Sequence, residues 1–221
     1  MEIGFKSQPT DNLILNGAVF YYDYQDAQGY VTVFNTVVQG PVTQLANIGD
    51  AEHVGAELEL FWQPDQIEGF QMQAAATLLD TTITESAFTD LTQSGDPYSL
   101  EGLTRDFAPS FSFFALARQD FELGNDWMGS AQVSYSYRDD LLPRGTFGDD
   151  VDYGLGRLDG YGTLAARASL GHVRKGWELA LSGENLTDEV YIASATGDDL
   201  GSYMVIPARP RRFKLELSYS F

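Results

Sequence analysis

The feature that most constrains this chain is its ending. The last ten residues, Arg212-Phe-Lys-Leu-Glu-Leu-Ser-Tyr-Ser-Phe221, alternate without a break. Phe213, Leu215, Leu217, Tyr219 and Phe221 fall on one side, and Lys214, Glu216, Ser218 and Ser220 on the other. A helix would scatter both sets around its circumference, whereas a strand separates them. One face suits an apolar medium and the other suits water or polar groups. A soluble sheet shows the same alternation. An amphipathic strand that closes on Phe221, with Tyr219 two residues earlier, is more typical of an outer-membrane β-barrel, whose assembly and membrane insertion read such an ending.

Composition is neutral on this point. Apolar residues make up 43% of the 221, near a globular average. A barrel gives the same figure, because half of every strand faces a polar interior. No run of about 18 apolar residues is present, which excludes a transmembrane helix. The chain has no Cys, so disulfides, thiolate metal sites and Cys nucleophiles are excluded. His53 and His172 are too far apart in sequence for a local ligand pair, and no cofactor is expected. Net charge is −19, from 32 acidic and 13 basic residues. Nucleic acid is excluded as a partner, since it calls for clustered Lys and Arg. Neither a nucleophile elbow nor a zinc motif appears, and Gly154-x-Gly156 lacks the third glycine of a dinucleotide turn. The chain is not expected to be an enzyme.

The strands follow a regular plan. Leu13–Tyr24 is a long β-rich run ending in the aromatics Tyr21, Tyr22 and Tyr24. Ordinary strands average about 5–6 residues, whereas membrane-spanning ones need about 9–11. In 47–62, Val54, Ala56, Leu58, Leu60 and Trp62 share one face and Glu57 and Glu59 the other. Two Glu in a dry core would be costly, and a wet lumen removes that cost. Trp127–Tyr137 puts Ser130, Gln132, Ser134 and Ser136 on a single face. Further strands are expected at 70–84, 109–118, 162–170 and 177–185. Compact turns are expected at Gln8–Asn12, Pro64–Gly69, Asp120–Asp126 and His172–Gly176. Asp26–Leu45 reads as a loop hairpin standing above the sheet, and 85–105, 138–157 and 187–207 read as long loops. Short and long connections therefore alternate along about nine strands, with all long loops at one end. That is the plan of an outer-membrane barrel with short periplasmic turns and long extracellular loops.

Three stretches resemble the TonB-dependent outer-membrane receptors. Asn47-Ile-Gly49 with Gly55-Ala-Glu-Leu-Glu59 is similar to an Asn-x-Gly…Gly-x-Glu-x-Glu strand of that family. Gly183-Glu-Asn-Leu-Thr-Asp-Glu-Val-Tyr191 is similar to its Asn-Leu-Thr/Phe-Asp-x-x-Tyr segment. Pro207-Ala-Arg-Pro-Arg-Arg-Phe213 is similar to its Gly-Arg-Pro-Arg last strand, with Ala208 in place of the usual Gly. The resemblance implies an all-β fold, an antiparallel transmembrane β-barrel of about 22 strands around a plug. Residues 1–221 would supply about nine of its C-terminal strands. Met1–Ser7 shows no signal peptide, and the odd strand count agrees with a piece of a longer precursor whose plug domain lies upstream.

The resemblance also implies bacterial outer-membrane localisation and uptake of a ferric siderophore or another scarce nutrient. The implied partners are the TonB–ExbB–ExbD complex acting through the missing N-terminal part, outer-membrane lipid and lipopolysaccharide, and the barrel-assembly machinery. The alternative is a smaller passive porin or surface-binding barrel; a soluble acidic all-β binding protein is a third class. Candidate substrate contacts are Arg138, Arg144, Arg157 and Arg209, near the junctions of loops and strands, because guanidinium pairs with carboxylate or catecholate oxygens. Arg211 and Arg212 belong to the same basic set. The competing role for all of them is neutralisation of lumen Glu and loop Asp. The acidic groups Asp139-Asp140, Asp149-Asp150-x-Asp152 and Asp198-Asp199 read as solvated loops, since the full ligand set of a calcium loop is missing.

Overall fold

A computed structural model describes residues 1–87, 89–91, 97–143, 157–197 and 203–220. The alternating segments form nine antiparallel strands in one sheet: β1 (Glu2–Thr10), β2 (Leu13–Asn35), β3 (Gly40–Trp62), β4 (Phe70–Ser86), β7 (Phe111–Gly124), β8 (Trp127–Arg138), β9 (Tyr161–His172), β10 (Trp177–Glu184) and β13 (Arg212–Tyr219). Each pairs with the wall strand next to it in sequence, so the sheet is a simple meander. Two small hairpins, β5 (Thr89–Leu91) with β6 (Pro97–Ser99) and β11 (Ile192–Gly197) with β12 (Tyr203–Pro207), lie within long connections.

Register decides which medium each side chain meets, because residues opposite one another share a face. Ile3 pairs with Val19, Val19 with Ala56, Ala56 with Leu78 and Leu78 with Phe111. Farther round, Val133 pairs with Ala166, Ala166 with Gly183 and Gly183 with Phe213. One apolar face therefore runs unbroken from the first strand to the last. The opposite face carries a polar row, Gln71–Arg118–Gln132–Arg167–Ser182–Lys214, each opposite the next. A slip of one residue in any strand would push charge into the apolar face. Phe213, Leu215, Leu217 and Tyr219 stand together on the apolar face, 65–73% exposed. Phe221 lies outside the described residues.

Turn chemistry fixes that register. Between β7 and β8, Asn125 and Asp126 have φ of 52° and 65°. That is the two-residue, positive-φ loop whose twist matches a hairpin. The strand accordingly runs on to Gly124, and the turn expected over Asp120–Asp126 is only its last two residues. Likewise β1 continues through Gln8 and Pro9 to Thr10, and the first turn shrinks to Asp11-Asn12. The larger correction concerns Asp26–Leu45. It is no separate loop hairpin: β2 and β3 run through it as 23-residue strands, paired up to Asn35 and Gly40. A bulge between Tyr24 and Ala27, with Asp26 at φ 54°, bends the pair without ending it.

Buried apolar side chains are not found where a soluble sheet would put them. Ile48, Ala51, Ile83 and Leu100 are fully buried, and Ala27 nearly so. These five form one cluster, in which Leu100 from the connection after β6 joins the extended parts of β2–β4. Leu141, Leu158 and Ala195 form a second, among the next two long connections. Among the described residues, Ala180 is the one buried apolar residue within the regular wall.

Candidate functional site at the rim

The rim above the apolar band gathers the chemistry. Arg138 closes β8 opposite Tyr161, which opens β9. Its guanidinium lies over the Tyr161 ring, 4.6 Å from the centroid, a cation–π distance. Tyr161 in turn stacks on Tyr191, with centroids 3.6 Å apart and planes 19° from parallel. Burial, then the neighbouring Tyr161 hydroxyl, pushes the Tyr191 phenol above its ordinary pKa. Arg138 Nη1 donates to the Asp139 carbonyl at 3.1 Å. Its Nη2 is buried without a partner among the described residues. The Ser110 hydroxyl donates to Asp139 at 2.5 Å and is the main reason that this carboxyl titrates low. Asp140 holds Arg157 in an ion pair. Backbone hydrogen bonds in both directions between Leu141 and Leu158 bind the two arms of this loop together at its base.

Of the basic residues singled out in the sequence, Arg138 and Arg157 thus come together, linked through Asp139 and Asp140. Arg209 sits elsewhere and is exposed; its carbonyl accepts a bond from Asn185 at 3.2 Å. Arg144 lies outside the described residues, as do Asp149, Asp150, Asp152, Asp198, Asp199 and the Gly154-x-Gly156 stretch. Arg211 and Arg212 have carboxylate partners, Asp188 at 3.2 Å and Glu184 at 2.8 Å. Among the described residues no group of three or more acidic or histidine side chains is placed to hold a metal ion.

The Asn185–Tyr191 segment is a clasp. Asn185 is buried, with φ 50°. Its Nδ2 donates to the carbonyls of Glu189 and Arg209, and its Oδ1 accepts from the Glu189 N–H at 2.9 Å. Asp188, also left-handed at φ 59°, accepts from the backbone and the guanidinium of Arg211. Three residues on, Tyr191 delivers its ring to Tyr161. One short motif therefore ties the outgoing end of β10 to the incoming end of β13 and completes the Arg138 stack. Sequence reading marked Tyr191 only as part of a pattern and did not mark Tyr161 at all. A Tyr opening a strand after a Gly/Asp-rich stretch carries little local signal.

Comparison with known proteins gives this geometry its context. Residues 1–186 match the family model described as "TonB dependent receptor-like, beta-barrel". This chain belongs to the TonB-dependent receptor β-barrel family. No protein of curated function matches it in sequence. Among solved structures, 99% of the chain aligns with the siderophore receptor PiuA of Acinetobacter baumannii, at 22% identity and a TM-score of 0.71. The ferric yersiniabactin uptake receptor FyuA of Yersinia pestis gives 98%, 17% and 0.71, and the copper transporter OprC gives 100%, 17% and 0.65. At such identities the likeness is one of fold. The chain spans 28–31% of the length of these three proteins. The meander is thus an arc of a TonB-dependent receptor barrel, and the family is one of receptors rather than enzymes.

Proposed function

We propose that residues 1–221 are the C-terminal arc of an outer-membrane receptor that imports a scarce nutrient, a ferric siderophore being the first class to test. The observation that carries this reading is the unbroken apolar face over nine strands, backed by a polar face, in a chain of this family. A sheet of that construction fits between lipid and a wet, plugged lumen. The tight turns then belong to the periplasmic end and the long connections to the cell surface. Energy would come through TonB, ExbB and ExbD acting on an N-terminal plug. Lipopolysaccharide would surround the rim, and the barrel-assembly machinery would read Phe213, Leu215, Leu217, Tyr219 and Phe221.

Substrate contact is assigned to the rim, with Arg138 as the first residue. Its guanidinium stands over Tyr161, and a loop rearrangement that uncovered Nη2, buried with no partner among the described residues, would give a donor for an anionic oxygen. Arg157 is second, since its ion pair with Asp140 must rearrange. Arg144 and Arg209 complete the proposed set. The test is uptake of labelled ferric siderophores by cells carrying the complete receptor gene, its deletion, or the gene in a TonB-deficient background. Loss of uptake in both defective strains supports the proposal. Uptake that persists without TonB would point to a passive pore. In the complete receptor, Arg138→Ala should weaken ligand binding by about tenfold, the scale of one charge-assisted hydrogen bond. Arg209→Ala should weaken it less.

A further inference from the structure

Residues 100–107 form a strap across the inner side of the rim. The strap is stitched to β4: Gly102 N–H donates to the Ile83 carbonyl at 2.8 Å, and Ile83 N–H returns a bond to Leu103 at 2.9 Å. Arg105 N–H donates to Thr81 Oγ1 at 3.1 Å, and its Nη2 reaches the Gln28 carbonyl on β2 at 2.9 Å. Leu100 supplies a fully buried side chain to the rim cluster, and Phe107 N–H donates to Leu142 in the next connection at 3.0 Å. The strap thus joins β2, β4 and the loop after β8.

His53 of β3 lies beneath this arrangement, opposite Tyr22 on one side and Thr81 on the other. Its ring packs against Tyr24, 4.7 Å between centroids. Its Nε2 is buried and has no hydrogen-bond partner among the described residues. The groups facing it are Tyr22 and Tyr24 from β2, Thr81 from β4 and Arg105 from the strap. The Tyr22 hydroxyl is committed to Glu2, at 2.7 Å. Thr81 Oγ1 already takes the Arg105 N–H. None of these side chains is an anion. A proton on His53 would therefore create a buried donor without an acceptor, beside a guanidinium of the same sign.

We infer that His53 and the 100–107 strap form an acid-sensitive latch, closed while His53 is neutral and released when it is protonated. Burial, and then Arg105, hold the His53 pKa below its ordinary value, in the direction the geometry requires. The sign follows from linkage. The open strap exposes His53 near its ordinary pKa of about 6.5, the closed strap holds it lower, and protons therefore favour opening. Closure is complete above about pH 6.5. It weakens by up to about tenfold per pH unit below that, until the closed-state pKa is reached. Release frees the amides of Leu100, Gly102 and Arg105 and uncovers the rim cluster around Ile83.

The experiment is hydrogen exchange on the complete receptor in detergent or membrane, from pH 7.5 to pH 5, with rates corrected for intrinsic exchange. Amides of 100–107 should gain several-fold in corrected rate on acidification, while those of β8 and β9 stay constant. His53→Phe keeps a ring against Tyr24 and has nothing to titrate, so its strap should exchange at one rate throughout. His53→Gln serves the same purpose should the Phe variant not assemble. Arg105→Gln should shrink the response. A flat wild-type profile, or an acid response kept in both His53 variants, would overturn the inference. The readout uses no nutrient, so it stands or falls separately from the transport reading.

Discussion

The wall and the rim of this sheet are built by opposite rules. In the wall, large apolar side chains point outward and stay exposed: Leu215 and Leu217 are 70% and 73% accessible. In the rim, a few residues above the same strands, Ile48, Ile83 and Leu100 are fully enclosed. The rim is therefore packed for water, with its own small cores, ion pairs and caps. On the proposed reading, hydrocarbon covers the wall. A single strand carries both rules. On β4, Leu78 faces outward at 57% exposure, and Ile83, five residues on, is inaccessible. The crossover falls where the outward positions change from Tyr21, Val54 and Leu78 to Asp23, Glu52 and Asp80.

Substitutions should separate the two regions by size of effect. The largest is expected for Gly49→Ala in the rim. Gly49 has φ +124°, and a Cβ there would fall 1.8 Å from the Glu85 carbonyl oxygen. To the roughly 1–3 kcal/mol of a forbidden backbone well is added a forced separation of β3 from β4. Loss of the heat-resistant folded band on an unheated gel, or a large drop in urea midpoint, would register it. Ile83→Ala follows, at about 2–5 kcal/mol, because it leaves a cavity in an enclosed apolar cluster that relaxes only in part. Leu215→Ala is its mirror in the wall and should cost much less, since lipid tails flow into the space. Equal costs for this pair would erase the distinction. Leu215→Arg reverses the order, at about 2–4 kcal/mol near the bilayer midplane. Asn185→Ala should cost about 1–3 kcal/mol, from the orphaned groups of the clasp. The smallest effect belongs to Arg167→Gln. Its partner Glu178 is at 2.7 Å, but both side chains are about 40% exposed, and such pairs are worth about 0–1 kcal/mol.

Much of the wall was legible in the sequence because strand period and face are local. Phe213–Tyr219 announces its face in seven residues, and the alternation of short and long connections gives nine strands without any tertiary information. The rim was not legible. The β2–β3 extension looked like a loop because Asp26, Gly29 and Gly40-Pro41 are turn formers, and only the pairing of Val31–Asn35 with Gly40–Gln44 overrides them. The strap at 100–107 gave no periodic signal, since its order comes from bonds to Thr81, Ile83 and Gln28 far away in sequence. Family motifs carried information of a different kind. Asn47-Ile-Gly49 marks a backbone that only glycine fits, and Asn185-Leu-Thr-Asp188 marks a cap. For the candidate site, Arg138 and Arg157 were singled out from position and charge. The Tyr161–Tyr191 stack that gives Arg138 its setting requires the fold.

In the proposed receptor this sheet has lipid on one face and a wet lumen on the other. Residues 1–221 contain no Cys, so single cysteines can be placed from Phe213 to Tyr219 in the complete receptor, cleared of any Cys outside this stretch, and spin-labelled in lipid. Collision with oxygen, which concentrates in hydrocarbon, and with a water-soluble nickel chelate then reports each position. A period of two is expected: Phe213, Leu215, Leu217 and Tyr219 favour oxygen, and Lys214, Glu216 and Ser218 favour the chelate. Chelate access at all seven positions, or a period that does not separate these two sets, would contradict it.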